Sequence, residues 1–333
     1  MELRQLGTSE VKVSPIIFGA MPIGGWLWGG TDTDDALMAL KASLDAGVTT
    51  IDTAPVYGFG LSEEIVGKAV KGRREKVVIA TKTGMRWDRT DGQYFFKTKD
   101  QRSGKAHTIY RVLKGDAIIE ECELSLTRLG VETIDLYQCH WPDNTTPLEE
   151  TMEAMLRLKE QGKIRAIGVS NFTAEMLEAC LKLGPLASDQ PKYNLLDRRI
   201  EKDVLPFCRK QAIGLIVYNP LEMGLLTGKV TMDRTFPEGD QRNQAYLSWF
   251  RLENRKRVLD ALEKLCPIAG DHGMTLAQLV INWTIGEPGI TSAIVGARTP
   301  QQAKENAEAA SFALSDGERA LIRKTFEALG QPA

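Results

Sequence analysis

Cysteine, charge of one sign and long apolar runs are what this chain has little of. Five cysteines, Cys122, Cys139, Cys180, Cys208 and Cys266, are scattered through 333 residues without a C-x-x-C pair. That odd, dispersed set excludes a disulfide framework, offers no zinc spacing and fits a reducing, cytoplasmic setting. Lys and Arg number 42 against 44 Asp and Glu, a net charge of −2, so no nucleic-acid or other polyanion partner is expected. No apolar run approaches the roughly 18 residues of a spanning helix. The opening MELRQLGTSEVKVS has no basic stretch followed by an apolar one, so neither a membrane partner nor a secretory signal is expected. Low-complexity segments and linkers are missing too.

What is present is a 43% hydrophobic, 26% charged composition, ordinary for a globular chain and ample for a large core. Short apolar runs alternate with helical patterns from end to end. VSPIIFG (13–19), VTTID (48–52), KVVIATK (76–82), TIDLYQCH (133–140), IRAIGVS (164–170), ASDQ (187–190), GLIVYN (214–219) and TSAIVG (291–296) each precede a helical stretch. Near-continuous apolar strands are expected where both faces are covered. Eight strand-then-helix units predict one α/β domain over 1–333, a (β/α)8 TIM barrel. An open doubly wound sheet would want a G-x-G-x-x-G turn after the first strand, and GAMPIGGWLWGG does not supply it. An N-terminal hairpin is expected before the barrel. Long loops at 85–112 and 228–251 would sit on the C-terminal face, and segments near 274–285 and 315–328 read as extra outer helices.

Polar residues at the predicted strand ends stand out against the apolar layers that fill a barrel. They are Asp52, Lys82 and His140, with Tyr57 five residues beyond Asp52 in DTAPVYGFG. A free tyrosine titrates near ~10 and is a poor acid at neutral pH; an adjacent ammonium would stabilise its phenolate. A carboxylate would hold that ammonium, and a histidine would bond the same substrate oxygen. Such a set would protonate the alkoxide formed when hydride adds to a carbonyl. Alone, each has a plainer reading: Asp52 a turn cap, Lys82 a rim cation, His140 a core histidine. His107 and His272 read as surface residues.

The segments DTAPVYGFGLSEEIVG, VVIATKTG, IDLYQCHWPD, GKIRAIGVSNF, VYNPLEMGLLTGK and IVGARTPQQAKENAEA resemble those of the aldo-keto reductases, in order and over essentially the whole chain. Within that superfamily the sequence is similar to bacterial reductases related to inositol-catabolism and general-stress enzymes. The resemblance implies a catalytic tetrad of Asp52, Tyr57, Lys82 and His140, with Tyr57 as the proton donor. It also implies a nicotinamide dinucleotide bound across the barrel mouth. Ser170, Asn171 and Gln190 would meet the carboxamide, Tyr218 would stack under the ring, and backbone from Pro220 through Leu221 and Gly224 to Gly228 would follow the pyrophosphate. Gly296, Arg298, Gln302, Glu305 and Asn306 would hold the adenosine end. Ordinary readings stand beside these: Ser170 and Asn171 as helix caps, Tyr218 as packing, Gly-Ala-Arg as a plain loop.

Many family members carry Lys at the position of Gly296 and Arg at that of Gln302, both helping to hold the 2′-phosphate of NADP. Here Arg298 alone remains. NADP is expected on family grounds, with NAD as the alternative. Trp28 and Trp87, with Tyr94 and Phe95, would wall a substrate pocket to which Asp143 and Asn144 add polarity, suiting a sugar or small aldehyde; Arg86 is a weak pointer to phosphate. The expected activity is reduction of an aldehyde or ketone by a monomer or homo-oligomer. The alternatives are a sugar or polyol dehydrogenase, a cofactor-binding regulatory subunit of the channel β-subunit type and, least favoured, a metal-dependent barrel. The last lacks ligands, since His140 is the only histidine at a strand end.

Overall fold

In the computed structural model, which describes residues 1–333, the apolar strands close on themselves. In chain order the strands are β1 (Arg4–Gln5), β2 (Lys12–Val13), β3 (Ile16–Gly19), β4 (Thr50–Asp52), β5 (Val78–Thr83), β6 (Met85–Arg86), β7 (Gln93–Lys99), β8 (Ala106–Arg111), β9 (Ile134–Cys139), β10 (Ile164–Ser170), β11 (Ser188–Gln190), β12 (Gly214–Tyr218) and β13 (Ile290–Gly296). β3, β4, β5, β9, β10, β11, β12 and β13 form a closed parallel barrel, with β13 pairing back onto β3. All eight predicted barrel strands are there, and the (β/α)8 architecture follows.

The pleat decides what faces inward. Ile17, Ala80, Leu136, Ala166, Ile216 and Ile294, one from each of six strands, meet in an interior cluster. The β1–β2 hairpin closes the bottom of this cluster with Leu6, Val11 and Val13, all buried. Two residues further along β5 and β9, the same inward direction is occupied by Lys82 and Gln138 instead. Outside the barrel, a larger core of 68 buried residues joins the strands to their helices.

Three expectations need correction. Residues 85–112 are not simply a loop: β6, β8 and β7 form a three-stranded antiparallel sheet standing beyond the end of β5. Its β-rich QYFFKTK strand turns at Asp100, which accepts hydrogen bonds from the Arg102 backbone and the Ser103 hydroxyl, and at Gly104, whose φ is +72°. The helix Leu276–Ile285 is not an outer addition, because Ala277–Ile285 are buried throughout. It lies against β13 as part of the ring, and the added helices are Leu252–Glu263, Cys266–Asp271 and Asp316–Glu327. The helical pattern that GLIVYN leads to, read from the sequence as one helix over 252–270, is broken before Pro267, which lies in the first turn of the second piece.

Leu6 is fully buried at the barrel floor. Leu6→Ala should lower unfolding stability by about 2–5 kcal/mol through the cavity it leaves. Urea denaturation checks this, by a shifted midpoint with an unchanged slope.

Candidate active site

Asp52, Lys82, His140 and Tyr57 come together where β4, β5 and β9 end. Lys82 is fully buried, and Nζ donates to Asp52 Oδ1 at 2.6 Å, to the Thr53 carbonyl at 3.0 Å and to the Tyr57 hydroxyl at 3.3 Å. The His140 ring stands edge-on to Tyr57, with 5.7 Å between centroids. The turn delivering Tyr57 is pinned by Gly58: φ is +67°, and a Cβ there would lie 2.3 Å from the Gly24 carbonyl oxygen.

Burial governs the charges. It drives the Tyr57 hydroxyl well above the ordinary value of 10.0, and the Asp52 carboxylate adds to the rise. This reverses the expectation that Lys82 would lower it. The ammonium faces Asp52 at 2.6 Å, and burial together with that carboxylate outweighs its pull on the phenol. Lys82 itself is pulled down by desolvation, with Asp52 opposing. Desolvation and the Lys82 charge hold His140 well below 6.5, so its imidazole is neutral at pH 7. The resting site is therefore a protonated phenol and a neutral imidazole beside a closed ion pair.

Gln138 was missed in the sequence. Its side-chain amide donates to Asp52 Oδ2 at 3.3 Å and accepts from Gln190 at 3.2 Å. Its signal was the spacing: Gln138 lies two residues before His140 on the same inward side. Gln190 donates to the same Asp52 oxygen at 2.7 Å, so its amide nitrogen is committed to the carboxylate.

The other predicted residues separate into two groups. Ser170, Asn171, Gln190 and Tyr218 do converge: the Ser170 hydroxyl donates to the Gln190 carbonyl at 2.7 Å, and the Tyr218 hydroxyl donates to Asn171 Oδ1 at 2.9 Å. Asn171 holds φ at +63° while donating to the His140 carbonyl. After β12, Asn219, Glu222, Met223 and Gly224 all take positive φ, around the predicted Pro220–Leu221 segment. A Cβ on Gly224 would meet nothing within 4 Å, so this strained backbone faces open space. Beyond β13, Arg298 donates to the Trp28 and Gly30 carbonyls at 3.2 and 2.9 Å, and Gln302 accepts from the Arg298 backbone at 2.9 Å. Asn306 donates to the Gly296 carbonyl at 3.1 Å, and Glu305 pairs with Lys229 at 3.3 Å.

Several substrate-side expectations are revised. Trp87 packs against the cluster that holds Tyr57, with Trp26, Phe59, Phe95, Phe96 and Trp141, and stands edge-on to Phe59 at 5.4 Å. Trp28 packs on the main core with Arg242 4.8 Å from its ring, and its carbonyl accepts from Arg298. Tyr94 is 56% exposed and stands edge-on to Tyr110 at 6.2 Å. Asp143 accepts from the Leu113 backbone and from Thr145 and Thr146, so it is a loop cap. Arg86 is buried against Asp88 and Glu120 as a structural cation. His107 is half-buried, stacked on Phe59 at 4.5 Å, and half-buried His272 bonds Glu318 at 2.8 Å, so neither is a plain surface residue.

A closed parallel barrel with a buried Tyr–Lys–Asp set and a neutral histidine at its carboxyl ends defines the class, a (β/α)8 oxidoreductase. The chain belongs to the aldo/keto reductase family, whose model matches residues 15–327. It is 39% identical over 330 residues to the aldo-keto reductase YhdN of Bacillus subtilis, covering 98% of this chain and 94% of that one. It is likewise 39% identical to an NADH-specific methylglyoxal reductase of Escherichia coli, covering 97% and 98%. Among solved structures, a glycerol dehydrogenase of Gluconobacter oxydans superposes with a TM-score of 0.86 at 35% identity, covering 98% of this chain and 96% of that one. The chain is an NAD(P)-dependent oxidoreductase by membership. No helix is long and apolar enough to cross a membrane.

Asp52→Asn would leave Lys82 buried without a counter-charge, so a loss of about 3–5 kcal/mol is expected at pH 7. In the variant, desolvation keeps the folded Lys82 pKa below its ordinary 10.5, with only the weaker pull of Glu63 left to oppose it. The unfolded chain then binds more protons in that window, and the stability deficit should shrink as pH rises toward 10.5. Denaturation midpoints from pH 7 to 10 measure it; a deficit that stays constant with pH would contradict the ion-pair account.

Proposed function

We propose that this protein reduces small aldehydes or ketones to alcohols, with Tyr57 giving the proton. The observation that carries this reading is the 3.3 Å contact between the Tyr57 hydroxyl and Lys82, itself locked to Asp52. A bound nicotinamide supplies hydride to the carbonyl carbon. The Tyr57 hydroxyl, loaded with its proton by burial, releases it to the alkoxide, a far stronger base than phenolate. Lys82 steadies the phenolate left behind, and Asp52 keeps Lys82 charged. Neutral His140 hydrogen-bonds the carbonyl oxygen without competing to donate a full charge. In the oxidative direction the same tyrosine is the base, so a polyol dehydrogenase is the same machine run backward. The relatives' names concern methylglyoxal and glycerol, both three-carbon compounds, which supports a small polar substrate.

The residues present fit a nicotinamide dinucleotide. Tyr218 offers a ring face fixed by its bond to Asn171, Ser170 and Gln190 offer side-chain oxygens as acceptors beside it, and the open backbone at Gly224 suits a diphosphate. NADPH is the proposed donor, with Arg298 taking the 2′-phosphate in exchange for its two carbonyl contacts. NADH is the second reading, favoured by Gly296. A Cβ there would lie 2.8 Å from Pro22, so no basic side chain fits at that position without displacement.

Tyr57→Phe should cut kcat by about 10²–10⁴-fold while leaving coenzyme affinity unchanged, because only the acid is removed. Steady-state reduction of methylglyoxal, alongside coenzyme titration by tryptophan fluorescence, measures both; wild-type turnover in the variant would refute the donor assignment. Arg298→Ala should weaken NADPH roughly 10–100-fold and NADH within about twofold, the loss of a charged hydrogen bond to phosphate. Equal weakening of both would remove Arg298 from the 2′-phosphate.

A further inference from the structure

The guanidiniums around the barrel mouth are almost all engaged. Arg86 pairs with Asp88 and Glu120, Arg89 with Asp91 and Asp116, and Arg242 with Asp240. Arg298 has two carbonyls. Arg111, the last residue of β8, is different. No carboxylate lies within 4.0 Å of its nitrogens. Its buried Nε donates to nothing, and its single hydrogen bond, to the Pro142 carbonyl, is 3.5 Å long. Asp143 lies close enough to be felt by its charge, yet both Asp143 oxygens are already taken by Leu113, Thr145 and Thr146.

The position of this cation is specific. Its guanidinium lies 3.9 Å from the Phe95 ring centroid and 5.1 Å from that of Trp141. Both rings belong to the cluster packed around Tyr57, and Trp141 directly follows His140 in the chain. Aromatic faces fix the plane of a guanidinium but leave its edge nitrogens free, the geometry suited to a bidentate oxyanion. Charge points the same way. Asp52 and Lys82 cancel and His140 is neutral, so Arg111, offset in part by the Asp143 charge, is the cation on this wall that has no direct ion pair. Stacking alone would explain the held plane, but not a half-buried cation left short of acceptors.

We infer that Arg111 is a specificity residue that binds the carboxylate or phosphate of an anionic aldehyde or ketone while Tyr57 and His140 address its carbonyl. The inference rests on the reductase reading above and assigns that site a substrate class, anionic carbonyl compounds. The test compares wild type, Arg111→Met and Arg111→Lys on matched pairs: succinic semialdehyde against butanal for carboxylate, and glyceraldehyde 3-phosphate against glyceraldehyde for phosphate. Arg111→Met should lower kcat/KM for at least one anionic substrate by about tenfold or more, chiefly through KM, with both neutral partners within about twofold. Arg111→Lys should restore part of the loss, since it keeps the charge but not the fork. Whichever anionic substrate responds identifies the group recognised. An equal loss on neutral and anionic substrates would show a packing role and overturn the inference, as would no loss on either anion. If wild type reduces none of the four with NADPH or NADH, the reductase reading fails and this inference with it. Neutral turnover without an Arg111 effect overturns this inference alone.

Discussion

An ammonium at zero exposure in the mouth of an apolar barrel is the constraint on which the rest of the site depends. Lys82 survives there only because Asp52, the Thr53 carbonyl and the Tyr57 hydroxyl take up its protons. Asp52 in turn needs its second oxygen satisfied, and Gln138 and Gln190 reach it from β9 and β11. The ion pair and the glutamines it recruits therefore tie four strands together, β4, β5, β9 and β11, and fix the Tyr57 hydroxyl as a by-product of solving its own burial. Removing one member leaves another unpaired, so structural and chemical roles cannot be separated at Asp52 or Lys82.

Much of this was legible in the sequence. Eight apolar runs separated by helical periods point to the barrel, and Asp52, Lys82 and His140 stand out at the ends of three of them, because an Asp, Lys or His in an otherwise apolar layer requires a reason; Tyr57 lies in the loop beyond the first. What was not legible depends on which neighbour a side chain finds. Asp143 and Arg86 read as pocket residues because local sequence cannot show that Thr145, Thr146 and Leu113, or Asp88 and Glu120, already consume them. The direction of the Tyr57 pKa was misjudged for a similar reason. A lysine close in sequence pattern counts as a positive field only while its charge is uncompensated, and here a carboxylate sits nearer to it than the phenol does.

The antiparallel sheet β6–β8–β7 shows another limit. Its strands carry charged and aromatic residues in loose alternation, which reads as a loop when both faces are expected to be covered. In the structure only one face is covered: Ile109 and Met85 are buried toward Tyr57, while Tyr94, Lys97 and Lys99 face water. A one-sided sheet needs only half its residues to be apolar. The hairpin thereby builds a hydrophobic wall without a continuous hydrophobic signal.

The mouth is thus assembled from two parts of the chain that share little beyond the catalytic floor. The aromatic wall comes from the sheet between β5 and the helix Gly115–Leu129, together with Trp141 after β9. The strained backbone after β12 and the Gly296–Asn306 turn come from the far end of the sequence. Each part is anchored by its own bonds, Asp100 and Asp143 on one side and Glu222 with Lys192 and Asn194 on the other. The two parts also meet at the loop after β3, where Trp26 stacks on Phe96 and donates to Thr98 while the Trp28 and Gly30 carbonyls hold Arg298. The wall and the surface proposed for the dinucleotide thus come from different loops over one shared floor, the arrangement by which a barrel varies its chemistry through its loops.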